Sequence, residues 1–263
     1  MTLFAFVFVA YTGNAQLIIN GDLNYDGDLN ITDVMKMIDI ILGNTPKTYL
    51  NCPDDNHPHM IDLGLPSGTK WACCNVGASS PEAYGGYYAW GEISEKEMYS
   101  DVTYQYCTGE DTDGDGWYDQ NWQWQNIGYY KGVDEYGRDI YDIADTQYDV
   151  AHVRWGGSWM MPSWNQIEEL ANSCTFTWTT INGVKGAQFI GPSGGKIFLP
   201  AAGGRYGYIL DSNGIHAGYW SSIRRPGLSY GAYFLYFNAS NVNWSTYFDS
   251  RRIRGFPVRP ISK

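Results

Sequence analysis

The pattern of hydrophobic and polar positions divides the chain into a short N-terminal part and a long C-terminal part. Apolar residues recur at helical spacing from Val34 to Ile41, and Gly43 follows as a helix end. Residues 44–59 are rich in proline and polar residues, which indicates a linker. From Met60 onward, short apolar and aromatic runs alternate with Gly, Pro, Asn and Ser, and this pattern predicts many short strands.

Within the long part, strands are predicted at residues 175–181, 187–190 and 196–199, with a Gly-Pro-Ser-Gly-Gly turn before the last of them. Two helices are predicted to start at N-cap serines. Ser80 precedes a proline at the first helical position, and Ser163 has a glutamine three residues later, which is capping-box spacing. Early helices followed by a β-rich half predict an α+β domain.

The N-terminus carries a short apolar run at residues 3–11, followed by small and polar residues. This pattern predicts a secretory signal peptide at residues 1–15, with cleavage near Ala15 and a secreted or cell-surface protein; a buried first strand is the alternative. No apolar run reaches about 18 residues, so no membrane-spanning helix is predicted.

Composition narrows the class of protein. The 263 residues include 17 Lys and Arg against 28 Asp and Glu, a net charge of −11, and 16% are aromatic. The aromatic content argues against a disordered acidic chain, and the scarcity of basic residues argues against nucleic-acid binding. The cysteines have no CxxC spacing, so no zinc site is predicted. The sequence leaves two alternatives for them, namely one disulfide bond or mostly buried free thiols. The five cysteines are Cys52, Cys73, Cys74, Cys107 and Cys174.

Residues 22–33 have the spacing of a calcium-binding loop. Oxygen-bearing side chains stand at positions 1, 3, 5, 9 and 12, position 7 offers a backbone carbonyl, and Gly27 stands at the sharp turn. The predicted ligands are Asp22, Asn24, Asp26, Asp28, Asn30 and Asp33.

A second acidic stretch at residues 111–119 begins with DxDxDG, which matches positions 1, 3, 5 and 6 of such a loop, and Asp119 stands at position 9. Position 12 is Trp122, which cannot coordinate calcium. The stretch is therefore compatible with either a weak calcium site or a solvated turn. The predicted ligands are Asp111, Asp113, Asp115 and Asp119.

The first loop and its helix, residues 18–43, resemble one repeat of a type I dockerin. Dockerins normally have two such repeats, and the sequence shows one. The resemblance therefore implies a calcium-binding module at 16–43, with a cohesin-like module as a partner or with the repeat acting only as a calcium-stabilised spacer.

A second resemblance covers residues 60–263. Its motifs are IDLGLPSGTKWA at 61–72, NVGA at 75–78, YYAWGE at 87–92, WGGSW at 155–159, MP at 161–162, FLPAAG at 198–203, YWSS at 219–222 and GFPVRP at 255–260. Together they resemble the Fibrobacter succinogenes major paralogous domain, in which residues 107–125 would be an acidic insertion. The resemblance implies a C-type-lectin-like fold, in which surface residues near the C-terminus bind ligand.

No catalytic residue is predicted. Residues 191–195 match GxSxG, but a strand rather than a helix follows, which favours a hairpin turn over a nucleophile. His57 and His59 are assigned to the linker, and His152 to a structural role. The copper oxidase chemistry of the related enzyme branch needs a late cysteine pair, and no cysteine follows Cys174.

The predicted ligand-binding surface lies between Tyr219 and Arg259, where aromatic residues and arginines alternate with flexible stretches. The resemblance implies large apolar groups at Tyr233, Leu235 and Phe237, which places these side chains inward. Strand alternation then places Phe234 and Tyr236 outward. The arginines would bind an acidic ligand, or else pair with nearby carboxylates. The predicted ligand-binding residues are Arg224, Arg225, Tyr230, Phe234, Tyr236, Tyr247, Phe248, Asp249 and Arg251.

These observations favour a secreted, non-catalytic recognition protein that binds calcium and a glycan or protein ligand. The alternative is an accessory component of an extracellular polysaccharide-degrading assembly, attached through the dockerin-like repeat.

Overall fold

β-Strands dominate the part of the chain that the computed structural model describes, which is residues 57–240, 242–243 and 249–262 with the single positions 31 and 34. Far more of these residues lie in strands than in helices. The chain divides into two compact units, Met1–Lys47 and Thr48–Lys263. The predicted signal peptide and all six predicted ligands of the first calcium loop lie outside the described residues.

The described part of the second unit contains 17 strands and two helices. The strands are β1 (Met60–Asp62), β2 (Lys70–Ala72), β3 (Cys107–Glu110), β4 (Gln120–Trp124), β5 (Tyr129–Val133), β6 (Asp139–Asp142), β7 (Trp159–Met160), β8 (Thr175–Ile181), β9 (Val184–Ile190), β10 (Lys196–Pro200), β11 (Gly204–Tyr206), β12 (Ile209–Asp211), β13 (His216–Arg224), β14 (Gly231–Asn238), β15 (Val242–Asn243), β16 (Asp249–Arg251) and β17 (Ile261–Ser262). The helices are α1 (Val150–Trp155) and α2 (Trp164–Ser173).

The strands form small antiparallel sheets around one larger sheet. The larger sheet has the order β15-β14-β13-β6-β5, and β16 also pairs with β14. The other sheets are β1-β2-β17-β7, β10-β9-β8, β11-β12 and β3-β4. Strand β17 pairs with β2 and β7, so the end of the chain closes against the start of the domain. Among the described residues, no helix combines the length and apolar character needed to span a membrane.

The predicted strands at 175–181, 187–190 and 196–199 correspond to β8, β9 and β10, and the hairpin turn at 191–195 is confirmed. The capping box at Ser163 is also present and starts α2. The helix predicted at Ser80 is wrong, because that segment consists of turns. Side chains from elsewhere bind its carbonyl groups: Asn75 donates to the oxygen of Tyr84, and Arg259 donates to that of Pro81.

The hydrophobic core lies on both faces of β13 and β14. Leu235 and Phe237 pack in one buried cluster, with Tyr219 stacked on Phe237 at a centroid distance of 5.9 Å. Phe234 and Trp220 pack in a second cluster. Because both faces of β14 are covered, its side chains do not divide into an inward and an outward set.

Two arginines near the C-terminus lie inside the domain. Arg259 is 1% exposed and donates from Nε to the Asn75 side-chain oxygen at 2.8 Å. Its Nη atoms donate to the backbone oxygens of Ala72, Cys73 and Phe198 at 2.8–3.0 Å. Arg252 is fully buried, donates to the Tyr104 hydroxyl at 2.8 Å and lies 4.8 Å from the Trp90 ring centroid. These guanidinium groups join chain segments that are distant in sequence.

Candidate functional site

A cleft of about 470 Å³ lies where the β5–β6 hairpin approaches the start of α2 and one end of β13 and β14. Its volume is in the range of small-ligand sites. The residues that line it include four charged groups and three aromatic rings. They are Asp134, Glu135, Tyr136, Arg138, Ile140, Ser163, Trp164, Asn165, Ile223, Arg225, Pro226 and Tyr233.

The tip of the β5–β6 hairpin is held by Asp134. Its carboxylate accepts the backbone N–H groups of Tyr136 and Arg138, each at 2.9 Å, and forms an ion pair with the Arg138 Nη2 at 2.6 Å. The hydrogen bond from the Arg138 side chain lowers the pKa of Asp134. The turn also needs a positive φ, which Gly137 supplies at +73°. One wall of the cleft is therefore fixed by its own local interactions.

Three aromatic rings contribute to the lining of the cleft. The rings of Trp164 and Tyr233 lie 5.0 Å apart with an interplanar angle of 35°. The capping box places Trp164 at the first position of α2, and β14 fixes Tyr233. Tyr136 is 72% exposed, and the Arg138 guanidinium lies 4.8 Å from its ring centroid. The cleft thus combines two anchored rings with one exposed ring.

Close contact between the hairpin and the loop after β13 depends on a glycine. At Gly227, with φ at +80°, a Cβ atom would lie 2.9 Å from the Cδ of Arg138. A side chain there would strain the backbone and displace Arg138.

The prediction that Phe234 faces a ligand is wrong. Phe234 is 7% exposed and stacks on Phe256 at a centroid distance of 5.1 Å. Tyr233, predicted to point inward, is only half-buried and lines the cleft instead. Tyr236, predicted to face outward, is half-buried beside His216, with ring centroids 5.1 Å apart. The prediction from strand alternation is wrong because a second cluster of buried residues covers the face of β14 that was predicted to be exposed.

Arg224, predicted to bind ligand at the surface, is 5% exposed. Its guanidinium hydrogen-bonds to the Asn126 side chain and lies 4.3 Å from the ring centroid of Tyr141. Burial lowers the pKa of Arg224. The prediction that Arg224 binds a ligand is therefore wrong, because its guanidinium contacts Asn126 and Tyr141 inside the domain.

Three other predicted ligand-binding residues reach the surface. Arg225 lines the cleft, Arg251 is exposed, and Tyr230 is 40% exposed. Tyr247 and Phe248 lie outside the described residues, as does the side chain of Asp249. Among the described residues, the structure thus brings Arg225 together with Tyr233 at the cleft.

The sequence did not single out the hairpin tip or Trp164. A signal for the tip is present in the Asp134-Glu135-Tyr136-Gly137 segment, because Asp at the first position and Gly at the fourth are typical of a β-turn. Nothing local in the sequence indicates that this turn lies beside α2, since the two are joined only through the fold.

The second acidic stretch lies in a hairpin of β3 and β4, with the DxDxDG residues in its loop. One carboxylate oxygen each of Asp111, Asp113 and Asp115 lies within 4.8 Å of the others. Asp111 also accepts the backbone N–H groups of Gly114 and Gly116, at 2.8 and 3.1 Å. The fourth predicted ligand, Asp119, accepts instead from the backbone and hydroxyl of Thr112. These hydrogen bonds lower its pKa.

The β3–β4 hairpin is anchored to the rest of the domain by a buried carboxylate. Asp101, 2% exposed, accepts the backbone N–H of Tyr118 at 2.9 Å and the indole N–H of Trp122 at 3.1 Å. Trp117 lies against Tyr206 with ring centroids 4.7 Å apart. The segment that follows the acidic group is therefore held against the rest of the domain.

No family model, curated protein or solved structure matches the chain.

Proposed function

We propose that the protein is a secreted, non-catalytic recognition protein of α+β, C-type-lectin-like type, and that the cleft beside α2 binds a glycan. The observation that carries the proposal is the combination of Tyr136, Trp164 and Tyr233 with charged groups in one cleft of ligand size.

Aromatic side chains offer flat apolar faces and, in Tyr and Trp, a polar edge. Sugar rings have apolar C–H faces and hydroxyl edges, so rings flanked by charged side chains suit them. Trp164 and Tyr233 provide the faces, and Asp134, Glu135 and Arg225 provide hydrogen-bonding groups around them. Because the hairpin tip and α2 are held by local hydrogen bonds, little ordering would accompany binding.

The test is a glycan array followed by calorimetry with the glycan that binds. Replacement of Tyr136 or Tyr233 by Ala is expected to weaken binding at least about tenfold, as for aromatic hot spots. Tyr208→Ala is the matched control, since Tyr208 is 70% exposed and lies outside the cleft lining. Equal affinities of all variants would exclude the cleft, and binding only to proteins on a parallel array would exclude a glycan.

We also propose that Ca²⁺ binds to Asp111, Asp113 and Asp115 and stiffens the insertion. Grouped carboxylate oxygens are the ligands that Ca²⁺ prefers. In calorimetric titration of the full chain, combined replacement of these residues by Asn should remove one bound Ca²⁺. Asp119→Asn, whose carboxylate bonds to Thr112, should retain it. Unchanged stoichiometry in the triple variant would contradict this site.

A further inference from the structure

The open end of the β1–β2 hairpin brings together two histidines and a cysteine. One imidazole nitrogen each of His57 and His59 and the Sγ of Cys73 all lie within 4.8 Å of one another. The His57 Nδ1 is 3.2 Å from the Cys73 Sγ, and the His59 Nδ1 is 3.8 Å from it. Cys73 is buried, whereas both histidines are half-buried.

The hairpin backbone explains this arrangement. Met60 pairs with Ala72, and the ladder continues one step further, where the N–H of Cys73 donates to the oxygen of His59 at 3.0 Å. His57 lies two residues before His59, ahead of the start of β1, and its Nδ1 also reaches the Cys73 Sγ. The two imidazoles therefore reach the same sulfur atom.

The contacts match the dimensions of a tetrahedral zinc site. Zn–S bonds of about 2.3 Å and Zn–N bonds of about 2.0 Å separate sulfur from nitrogen by about 3.5 Å. The two observed separations, 3.2 and 3.8 Å, lie on either side of that value. Small movements of the imidazoles would place all three atoms around one ion.

The surroundings of the sulfur suit a thiolate ligand. The backbone N–H of His59 donates to the Cys73 Sγ at 3.1 Å. Arg259, which donates to the Cys73 backbone oxygen at 2.8 Å, fixes the chain at this residue and brings a positive charge close to it. Hydrogen bonds around a ligand orient it and tune its affinity for the metal.

We propose that His57, His59 and Cys73 bind a zinc ion, with the fourth position taken by water or another ligand. Two imidazoles and one thiolate form a borderline-soft donor set that suits Zn²⁺ and not Ca²⁺. The ion would tie the segment before β1 to the end of β2. This site is separate from the acidic loop and from the cleft.

The test uses the full chain after treatment with a chelator and a reductant. Calorimetry with Zn²⁺ should give one tight site, and Co²⁺ in its place should give a thiolate-to-cobalt charge-transfer band. Cys73→Ala should abolish the band. His59→Ala should weaken Zn²⁺ binding at least about tenfold, since even outer-shell changes cost about 10–100-fold. Cys174→Ala, a thiol outside the cluster, is the matched control and should retain both signals.

Because Cys73 is buried, its replacement could unfold the domain, so His57→Ala at a half-buried position provides a second variant. Its circular dichroism should be that of the unaltered chain, with Zn²⁺ binding weakened. A band that persists in Cys73→Ala, Zn²⁺ affinity equal in all variants, or binding of copper with none of zinc would each overturn the proposal.

Discussion

Arg259 and Arg225 show how differently the domain uses the arginines of its C-terminal part. Arg259 is surrounded by backbone and amide oxygens from the segments at 72–75 and 198. Arg225 lies at the cleft, beside the exposed hairpin that carries Tyr136. One arginine joins segments of the core, and the other borders a space of ligand size.

The comparison teaches that arginine near aromatic residues is not by itself a sign of a binding surface. Arg252 and Arg224 also lie beside aromatic rings, yet both are buried. A planar group with five donors can satisfy several carbonyl oxygens at once, which suits a fold with many short strands and irregular ends. The buried and cleft arginines should therefore respond differently to mutation.

The largest effect is expected for Arg259→Leu. It removes the donors to at least four buried oxygens, and each unsatisfied group costs about 1–3 kcal/mol. We expect the free energy of unfolding to fall by at least about 3 kcal/mol in urea denaturation. Arg225→Leu is the matched control, with a smaller expected loss, because this side chain is half-buried at the cleft. Equal losses for the two variants would remove the distinction between them.

A second comparison sets Phe234 against its neighbour Tyr233. Phe234→Ala leaves a cavity between Trp220 and Phe256, and truncation of a buried Phe costs about 3–5 kcal/mol. Tyr233→Ala should cost less stability, because Tyr233 is half-buried, while reducing glycan binding. Thermal melts and calorimetry of both variants distinguish the two roles. Retained stability in Phe234→Ala would mean that the second layer does not cover this side chain.

Buried tyrosines should make the core sensitive to alkaline pH. Burial raises the pKa of Tyr99 to about 12, and it also raises the pKa values of Tyr87, Tyr104 and Tyr219. Tyrosines in the unfolded chain ionise at about pH 10. The free energy of unfolding should therefore have its full value below that pH and should decrease as the pH rises from there through about 12. Urea midpoints measured across this range should fall steadily.

Tyr99→Phe serves as the control for this alkaline loss. Its stability should depend less steeply on pH, although it loses the hydrogen bond from the Tyr99 hydroxyl to the Tyr87 oxygen at 2.6 Å. An unaltered chain whose midpoint stays constant up to about pH 12 would show that these phenols do not limit stability.

The smallest effect on stability is expected at the cleft. Asp134→Asn weakens the ion pair with Arg138, and exposed ion pairs contribute little to folding. The thermal midpoint should therefore stay the same, while glycan affinity falls because the hairpin tip is less well ordered. A large drop in the midpoint would place the hairpin among the elements that hold the core together.

Local sequence signals predicted the helices and strands themselves better than they predicted which segments pack against them. The β8–β9–β10 meander and α2 were predicted because each depends on nearby residues: alternating runs, a glycine-rich turn and a capping box. The helix at Ser80 failed because Asn75 and Arg259 bind its carbonyl groups from outside. Helix α1 was missed because it is short and depends on Asp149 as its N-cap.

The candidate sites show the same limit. The acidic loop was predicted because its ligands are adjacent in sequence, and the structure groups three of the four. The cleft needs contacts between segments near 136, 164 and 233, which no spacing rule connects. His57 and His59 were assigned to a linker, since their contact with Cys73 arises only when β1 pairs with β2.

The pairing of β17 with β2 brings the first and last strands of the domain close together, which bears on how its chain could be reconnected. Strands β1 and β17 flank β2 and run parallel to each other, so Met60 and Ser262 lie about 12 Å apart, two strand spacings and two residue rises. A linker of about four residues or more covers that distance. The ends of β1 and β17 are therefore close enough to be joined in a circularly permuted chain.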